Sequence, residues 1–208
     1  MNTYSQKEND FFSIISNIKC LSMQQAHYIL KKYLGCNKNE ADAIIRHSIT
    51  YQRTVLSQDG NFLLLRNQQI YSKINLSTVR AFTICLGIVE DLDCLKYTYI
   101  PAGLHELVFY SDRLYKVIEL RANNLTKVTA IQQEYIDATR DNSSNMRQSI
   151  SPLSYVTIFL IPQNEDREEI ERFFETADVF IPSLIIFMED SGIENIPAKH
   201  EMFSLNMD

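Results

Sequence analysis

The chain has 208 residues, of which 45% are hydrophobic and 22% are charged, so we expect a soluble globular protein with one large or two small domains. Its net charge of −6 and sequence pI near 5.3 exclude a general attraction to nucleic acid, so DNA binding would require a local basic face. No apolar run approaches the roughly 20 residues that span a bilayer, and residues 1–10 lack the apolar core of a signal peptide. These features predict a cytoplasmic protein without a membrane partner.

The four cysteines, Cys20, Cys36, Cys85 and Cys94, form no CxxC pair and have no histidine at metal-ligand spacing. They lie inside or beside apolar runs, where a free thiol behaves as a small hydrophobic group. No glycine-rich phosphate loop is present either. We therefore expect reduced core cysteines, no bound metal and no cofactor.

Local capping signals in residues 22–49 predict two consecutive helices. Ser22 can cap the first helix, because Gln25 can return a hydrogen bond to the N–H of the capping residue, and Gly35 ends that helix. Asn37 and Glu40 repeat the arrangement at the start of the second helix. Near-helical apolar spacing supports both helices, with Met23, Ala26, His27, Leu30 and Leu34 in the first and Ala41, Ile44, Ile45, Ser48 and Ile49 in the second.

A β-hairpin is predicted directly after the second helix. The β-prone runs Thr54–Leu56 and Phe62–Leu65 flank Ser57–Asn61, whose Asp-Gly pair favours a reversed turn. Helix, tight turn, helix and hairpin form the layout of a winged helix-turn-helix, with the hairpin as its wing. Asn9 or Asp10 can cap a preceding helix, whose apolar stripe is formed by Phe11, Phe12, Ile14, Ile15 and Ile18. We therefore predict a winged helix-turn-helix domain over residues 1–72.

The second of these helices, taken from Asn39 to Arg53, is the candidate recognition helix. Arg46 and Arg53 are two turns apart on it and so project the same way. The predicted DNA contacts are Lys38, Arg46, His47, Thr50 and Arg53 on the helix, and Gln58 and Asn61 in the hairpin. The alternative is a small helical domain whose hairpin only closes the core, and in which Arg46 pairs with Asp42.

A second domain is predicted over residues 77–190, with the order α-β-β-β-α-β-α-β. Ser77 caps a long helix that reaches Leu92, and a helix from Asn124 to Thr139 and an acidic helix from Asn164 to Ala177 follow later. The predicted strands are 97–101, 106–110 and 114–120, which form an antiparallel meander, and the buried runs 155–161 and 183–188. Because the last two strands flank a helix, they should be parallel. The polar segments are predicted as a connector (66–75), a loop (141–151) and a tail (191–208).

These elements predict an α+β or α/β protein whose second domain has three layers and resembles the restriction-endonuclease-like fold. The chain as a whole resembles the plasmid replication-relaxation family, whose members are winged-helix proteins associated with plasmid replication and mobilisation. The residues that carry the resemblance are Ser22-Met23-Gln24-Gln25 with Ile29-Leu30, Ala41 with Ile44-Ile45 and Ile49 leading into the wing, and the strands within 106–119. The resemblance implies a DNA-binding accessory or regulatory protein.

Nucleases of the endonuclease-like fold place an acidic residue on one strand and an acid-x-Lys triplet on the next, because the carboxylates hold Mg²⁺ while the lysine assists water. Here the corresponding hairpin offers Glu106 or Asp112, then Lys116 and Glu119. Lys116 and Glu119 are three residues apart, an odd separation that places them on opposite faces of a strand. We expect these four to be solvated sheet-edge and turn residues of a protein that is not an enzyme.

Two hypotheses of function follow from the sequence. In the first, the recognition helix enters the major groove of duplex DNA while the wing touches the flanking backbone, and a homodimer doubles the footprint. In the second, a non-enzymatic adaptor uses the winged helix and the acidic α/β domain to bind protein partners. The acidic run Glu165–Glu169 either stabilises a helix dipole or attracts a basic protein partner.

Overall fold

A computed structural model describes residues 5–66, 74–142, 155–162 and 165–188, with side chains described up to residue 137 in the second range. Within these ranges the protein is a mixed α+β fold with seven α-helices and two sheets. The elements are α1 (Gln6–Ile18), β1 (Cys20–Ser22), α2 (Met23–Lys32), α3 (Lys38–Thr50), β2 (Thr54–Leu56), β3 (Phe62–Leu65), α4 (Leu76–Ile88), α5 (Leu92–Lys96), β4 (Leu107–Tyr110), β5 (Leu114–Glu119), a 3₁₀ turn (Ala122–Asn124), α6 (Thr126–Asn142), β6 (Tyr155–Pro162), α7 (Arg167–Thr176) and β7 (Ser183–Met188). Most of the predicted connector and loop, and all of the predicted tail, lie outside the described residues.

Both predicted capping boxes are present. Ser22 Oγ accepts the Gln25 N–H at 3.1 Å, and Gln25 Oε1 accepts the Ser22 N–H at 2.9 Å. At the start of α3, Asn37 Oδ1 accepts the Glu40 N–H at 3.0 Å and Glu40 Oε2 accepts the Asn37 N–H at 2.9 Å. Each box pairs two N–H groups that would otherwise lack a partner in the first turn. The first residues of α2 and α3 are therefore set by their own local sequence.

The first sheet contains a strand that the sequence analysis did not predict. Strand β1 pairs antiparallel with β3, which also pairs with β2 in the predicted hairpin, so the order is β1-β3-β2. Lys19, with a φ of 70°, ends α1 and turns the chain into β1. The predicted start of α1 was also wrong, because Ser5 caps it, with Glu8 at the third position, rather than Asn9 or Asp10.

The second sheet has the order β4-β5-β6-β7, with β4 antiparallel to β5 and the other two pairs parallel. The predicted parallel pairing of β6 and β7 is confirmed. The predicted strand 97–101 contributes only a single bridge between Tyr99 and Val108, and Pro101 then removes a backbone donor. The single long helix predicted from Ser77 to Leu92 is in fact two helices, because Asn75 caps α4 and the chain becomes extended at Val89.

The second sheet is covered on both faces. Helices α6 and α7 pack on one face through side chains such as Ile131 and Ile170 against Phe159. The other face packs against α4 and α5, and this core continues without a break into the apolar faces of α1, α2 and α3. Tyr33, which follows the last residue of α2, reinforces this packing by donating to the carbonyl of Val89 at 2.6 Å. The described residues up to 66 and those from 74 onward thus share one core. The division into two domains at 1–72 and 77–190 stays a prediction.

Candidate nucleic-acid interface

Helix α3 carries a row of exposed residues along its outer side. They are Asn39, Ala43, Arg46 and Thr50, which we call the α3 stripe. Their spacing of four, three and four residues keeps them on one side of the helix, opposite the buried side chains Ala41, Ile44, Ile45 and Ser48. Arg46 Nε donates to the carbonyl of Asp42 at 3.3 Å. The stripe presents an amide, a methyl group, a guanidinium and a hydroxyl to solvent.

Five of the seven predicted DNA-contact residues lie on the exposed surface. Lys38 occupies the first turn of α3, Arg46 and Thr50 belong to the α3 stripe, and Gln58 and Asn61 lie in the hairpin turn. In that turn Gly60 adopts a φ of 73°, and the Ser57 N–H donates to the carbonyl of Phe62 at 2.9 Å, so the hairpin closes as its Asp-Gly pair predicts.

The other two predicted contacts, His47 and Arg53, turn toward α1. His47 Nδ1 bonds the Glu8 carboxylate, and the Arg53 guanidinium carbon lies 4.4 Å from the centre of the Phe12 ring. The prediction that Arg46 and Arg53 project the same way was wrong, because α3 ends at Thr50 and Gln52, with a φ of 58°, redirects the chain. Helical spacing therefore does not apply to Arg53. Asn39 and Ala43, which the sequence analysis overlooked, complete the exposed row instead.

A cleft of about 410 Å³ runs beside the α3 stripe, between α3, the start of α2 and strand β2. Its apolar lining consists of Met23, Ile45, Ile49 and Leu56, and Asp42 and Arg46 form its charged part. The Met23 N–H donates to the carbonyl of Asn61 at 2.9 Å, which holds the hairpin turn against the start of α2. The hairpin and the α3 stripe thus flank the same cleft.

Charge is distributed unevenly along the chain. Residues 5–66 hold eight lysines and arginines against five carboxylates, a net +3, whereas residues 74–208 hold eleven against twenty-one, a net −10. Lys31 and Lys38 line a second cleft at the turn between α2 and α3, together with His27. The part of the chain that carries α3 is therefore net basic in its sequence, although the whole chain is acidic and α3 itself balances Lys38 and Arg46 with Glu40 and Asp42.

His27 links α2 to α3. Its Nε2 lies 2.8 Å from Asp42 Oδ1, and its Nδ1 lies 2.7 Å from the carbonyl oxygen of Met23 one turn earlier. The hydrogen bond from His27 lowers the pKa of Asp42, and the nearby charges of Lys38 and Arg46 act in the same direction. On the side of α3 that faces α1, Glu8 accepts hydrogen bonds from His47 and Ser5. Burial raises the pKa of Glu8, but these hydrogen bonds lower it by more, so the pKa is below its usual value.

A buried ionic cluster lies at the end of β5 and was not predicted. Both oxygens of the Glu119 carboxylate are bound by Arg80 of α4, through Nε at 2.8 Å and Nη2 at 2.9 Å. Arg121 adds two bonds to Glu119 Oε1, at 3.0 and 2.8 Å, and bonds Glu165 at 2.8 Å. The signals in the sequence were a single charge, Arg80, inside an otherwise apolar helix and an acid-x-Arg triplet at 119–121.

The four residues compared with a nuclease site do not converge. Glu119 bonds Arg80 on the α4 side of the sheet, whereas Lys116 lies 3.3 Å from Glu134 of α6 on the other side. Glu106 pairs with Lys127 at 3.6 Å, and Asp112 accepts a hydrogen bond from the Tyr115 hydroxyl at 2.9 Å. The prediction that all four are solvated was wrong for Glu119, which is 2% exposed. Among the described residues, no group of three or more histidine, cysteine or carboxylate side chains is placed to hold a metal ion.

All four cysteines are free, as predicted. Burial raises the pKa of the Cys20 and Cys85 thiols to about 12, and it also raises the pKa of Cys36 and Cys94. Because the thiolate is the reactive and metal-binding form, none of these thiols is activated for nucleophilic chemistry.

Exposed aromatic residues lie along the outer edge of the second sheet, where residue 99 pairs with β4. Tyr97, Tyr99, Ile100 and Tyr110, which we call the tyrosine patch, are all exposed, and Tyr97 is 77% exposed. Tyr99 exchanges two backbone hydrogen bonds with Val108 of β4, at 3.0 and 2.9 Å, so the patch follows the sheet edge. Tyrosine is enriched at the centres of protein interfaces because its ring is apolar and its hydroxyl remains polar.

None of the helices that the structure describes has both the length and the hydropathy of a membrane span. Comparison with known protein families, with curated proteins and with solved structures finds no match for this chain.

Proposed function

We propose that this protein binds duplex DNA through the α3 stripe, as a non-enzymatic accessory or regulatory protein similar to those of the plasmid replication-relaxation family. The observation that carries the proposal is the exposed row Asn39, Ala43, Arg46 and Thr50 on a helix that lies beside a hairpin in the basic part of the chain. The order α1-β1-α2-α3-β2-β3 supports the assignment as a winged helix, in which α3 would be the helix that enters the major groove.

The side chains of the stripe suit the edges of base pairs. An arginine such as Arg46 can form two hydrogen bonds to guanine, an asparagine such as Asn39 can do the same to adenine, and the methyl group of Ala43 can contact that of thymine. Lys38 at the start of α3 and the hairpin residues Gln58 and Asn61 would contact the phosphate backbone, which sets the register of a protein on DNA.

The charge distribution sets the expected strength of binding. With eight lysines and arginines in residues 5–66, and with Arg53 packed on Phe12, the number of phosphate contacts per protomer is small. Few contacts give weak binding that falls with added salt. A homodimer on a two-fold symmetric site would double the footprint, and the acidic second part would be directed away from the duplex.

The experiment is a fluorescence-anisotropy titration of a labelled random-sequence duplex of about 30 base pairs, performed at about 50 mM salt. We expect saturable binding by the parent protein and a several-fold loss in affinity for Arg46→Ala, since the substitution removes one of the few cations that would face the duplex. The matched control is Arg167→Ala, which removes an exposed arginine of α7 that pairs with Glu171. Equal effects of the two substitutions would contradict the proposal.

The tyrosine patch favours a second candidate function, that of an adaptor that binds protein partners. An exposed aromatic edge on an acidic α/β part suits a basic protein surface with apolar pockets. The two functions predict different sensitive residues. Arg46→Ala should impair the DNA-binding protein and leave the adaptor unaffected, while Tyr97→Ser should do the reverse.

A further inference from the structure

We infer that protonation of His27, whose ring contacts Asp42, makes DNA binding by the α3 stripe stronger at acidic pH than at alkaline pH. The expected effect on DNA affinity rests on the function proposed above. The protonation state of His27 rests only on the geometry around its ring, so the two can be tested separately.

A charged ring satisfies both contacts of His27. The two ring nitrogens of His27 lie 2.8 Å from a carboxylate oxygen of Asp42 and 2.7 Å from the carbonyl oxygen of Met23. Both partners are acceptors only, and a neutral imidazole carries a single N–H. The imidazolium is the one form that donates to both, so this arrangement of α2 and α3 holds a proton on His27.

Loss of that proton breaks one of the two contacts. If Nδ1 keeps its hydrogen, the lone pair of Nε2 faces the Asp42 carboxylate, and the link between α2 and α3 is lost. If Nε2 keeps it, the lone pair of Nδ1 faces the carbonyl of Met23 instead. In either case Asp42 no longer has a cationic partner on α2 at hydrogen-bond distance.

Asp42 occupies a position where its charge affects DNA. It lines the cleft beside the α3 stripe together with Arg46. The other charged or titratable groups that face the pair are Lys31 of α2, Cys36 in the turn, and Lys38 and Arg46 of α3. The charge of this surface therefore becomes more negative by one when His27 is deprotonated, and phosphates are repelled.

DNA affinity should be greater at about pH 5.5 than at about pH 8, by about five- to tenfold at constant ionic strength, because the protonated ring offsets the charge of Asp42. His27→Gln cannot take up a proton, so its affinity should be nearly constant over the same range. His47→Gln is the matched control, because His47 belongs to the other histidine–carboxylate pair, with Glu8, on the flank away from the cleft. This variant should keep the pH dependence.

The experiment combines two measurements on the full chain. Anisotropy titrations with the random-sequence duplex compare the parent, His27→Gln and His47→Gln from about pH 5.5 to about pH 8. Long-range ¹H–¹⁵N correlation spectra of the free protein report whether both ring nitrogens of His27 carry hydrogen at the acidic end. Parent binding without pH dependence, or the same dependence in His27→Gln, would overturn the inference.

Different results would reject the proposed function and the role of His27. Absence of DNA binding at every pH would reject the proposed function and with it the regulation of DNA binding, while the ring spectra would still decide the protonation of His27. A neutral tautomer of His27 at pH 5.5, beside normal DNA binding, would reject the inference and leave the proposed function intact.

Discussion

Gln25 joins the two parts of the protein to each other. Its Nε2 donates to the carbonyl of Val79 at 2.7 Å and to Thr83 Oγ1 at 3.0 Å, while its Oε1 completes the cap of α2 at Ser22. The residue is fully buried. One side chain therefore sets both the start of α2 and the position of α2 on α4, and through α2 it supports the placement of α3.

Replacing Gln25 by leucine should lower the free energy of unfolding by about 2 kcal/mol, because it removes the acceptor for the Ser22 N–H and leaves the Val79 carbonyl and the Thr83 hydroxyl without that donor. Urea unfolding followed by circular dichroism measures the change. The matched control is Gln24→Leu at the neighbouring exposed position, which should change stability by no more than ~0.5 kcal/mol. The shared core also predicts a single transition, and two separate transitions would contradict this description of the fold.

Arg80→Met should lower the free energy of unfolding by more than the replacement of Gln25 does. It leaves the buried Glu119 carboxylate with Arg121 as its only guanidinium partner among the described residues. Breaking a buried ion pair from one side costs about 3–5 kcal/mol, whereas replacing both partners by apolar groups costs much less. Urea unfolding should therefore show Arg80→Met to be less stable than the double variant Arg80→Met with Glu119→Met. A loss for Arg80→Met no larger than that for the exposed Arg167→Met would refute a structural role for the pair.

Purified protein should leave supercoiled plasmid intact in the presence of Mg²⁺ or Mn²⁺. The physical reason is that both oxygens of Glu119 are bound by guanidinium groups and that Lys116 lies on the other side of the sheet. Agarose-gel analysis of incubated plasmid provides the measurement. Metal-dependent nicking that disappears on Glu119→Ala or Lys116→Ala would show that this site is catalytic after all.

The contacts of Glu8 predict a dependence of stability on acid. A carboxyl group whose pKa is lowered by folding stabilises the protein above its unfolded pKa, and that stabilisation is lost as the pH falls through the folded pKa. The pKa of Glu8 is lowered in this way by His47 and Ser5. Between about pH 5.5 and pH 3 the parent should therefore lose the advantage in free energy of unfolding that it holds over Glu8→Gln. Urea midpoints measured against pH provide the test, with the exposed Glu175→Gln as a control that should parallel the parent.

The features that sequence reasoning predicted are those fixed by neighbours in the chain. The caps at Ser22 and Asn37 depend on residues three positions away, and the Asp-Gly turn depends on Gly60 itself. Strand β1 was missed because three residues show no periodicity, and it forms only because β3 offers an edge more than 40 residues later. The ion pair of Arg80 with Glu119 spans a similar separation.

The candidate site was predicted only in part for a related reason. Helical spacing correctly placed Arg46 and Thr50 on the outer side of α3, but it was extended past Thr50 to Arg53. Helix ends are set by the backbone turn that follows, here at Gln52, which leaves little trace in composition. Ala43 has no polar group, so the sequence gives no sign of a contact there, although its position on the outer side of α3 exposes it.

The most direct test of DNA binding through the α3 stripe is a map of amide chemical-shift changes in ¹⁵N-labelled protein as a random-sequence duplex is added at low salt. The proposed function predicts that the changes concentrate in residues 38–50 and 57–61, while Tyr97–Tyr110 and α7 remain unaffected. Changes confined to the tyrosine patch, or the absence of any change at saturating duplex, would contradict it.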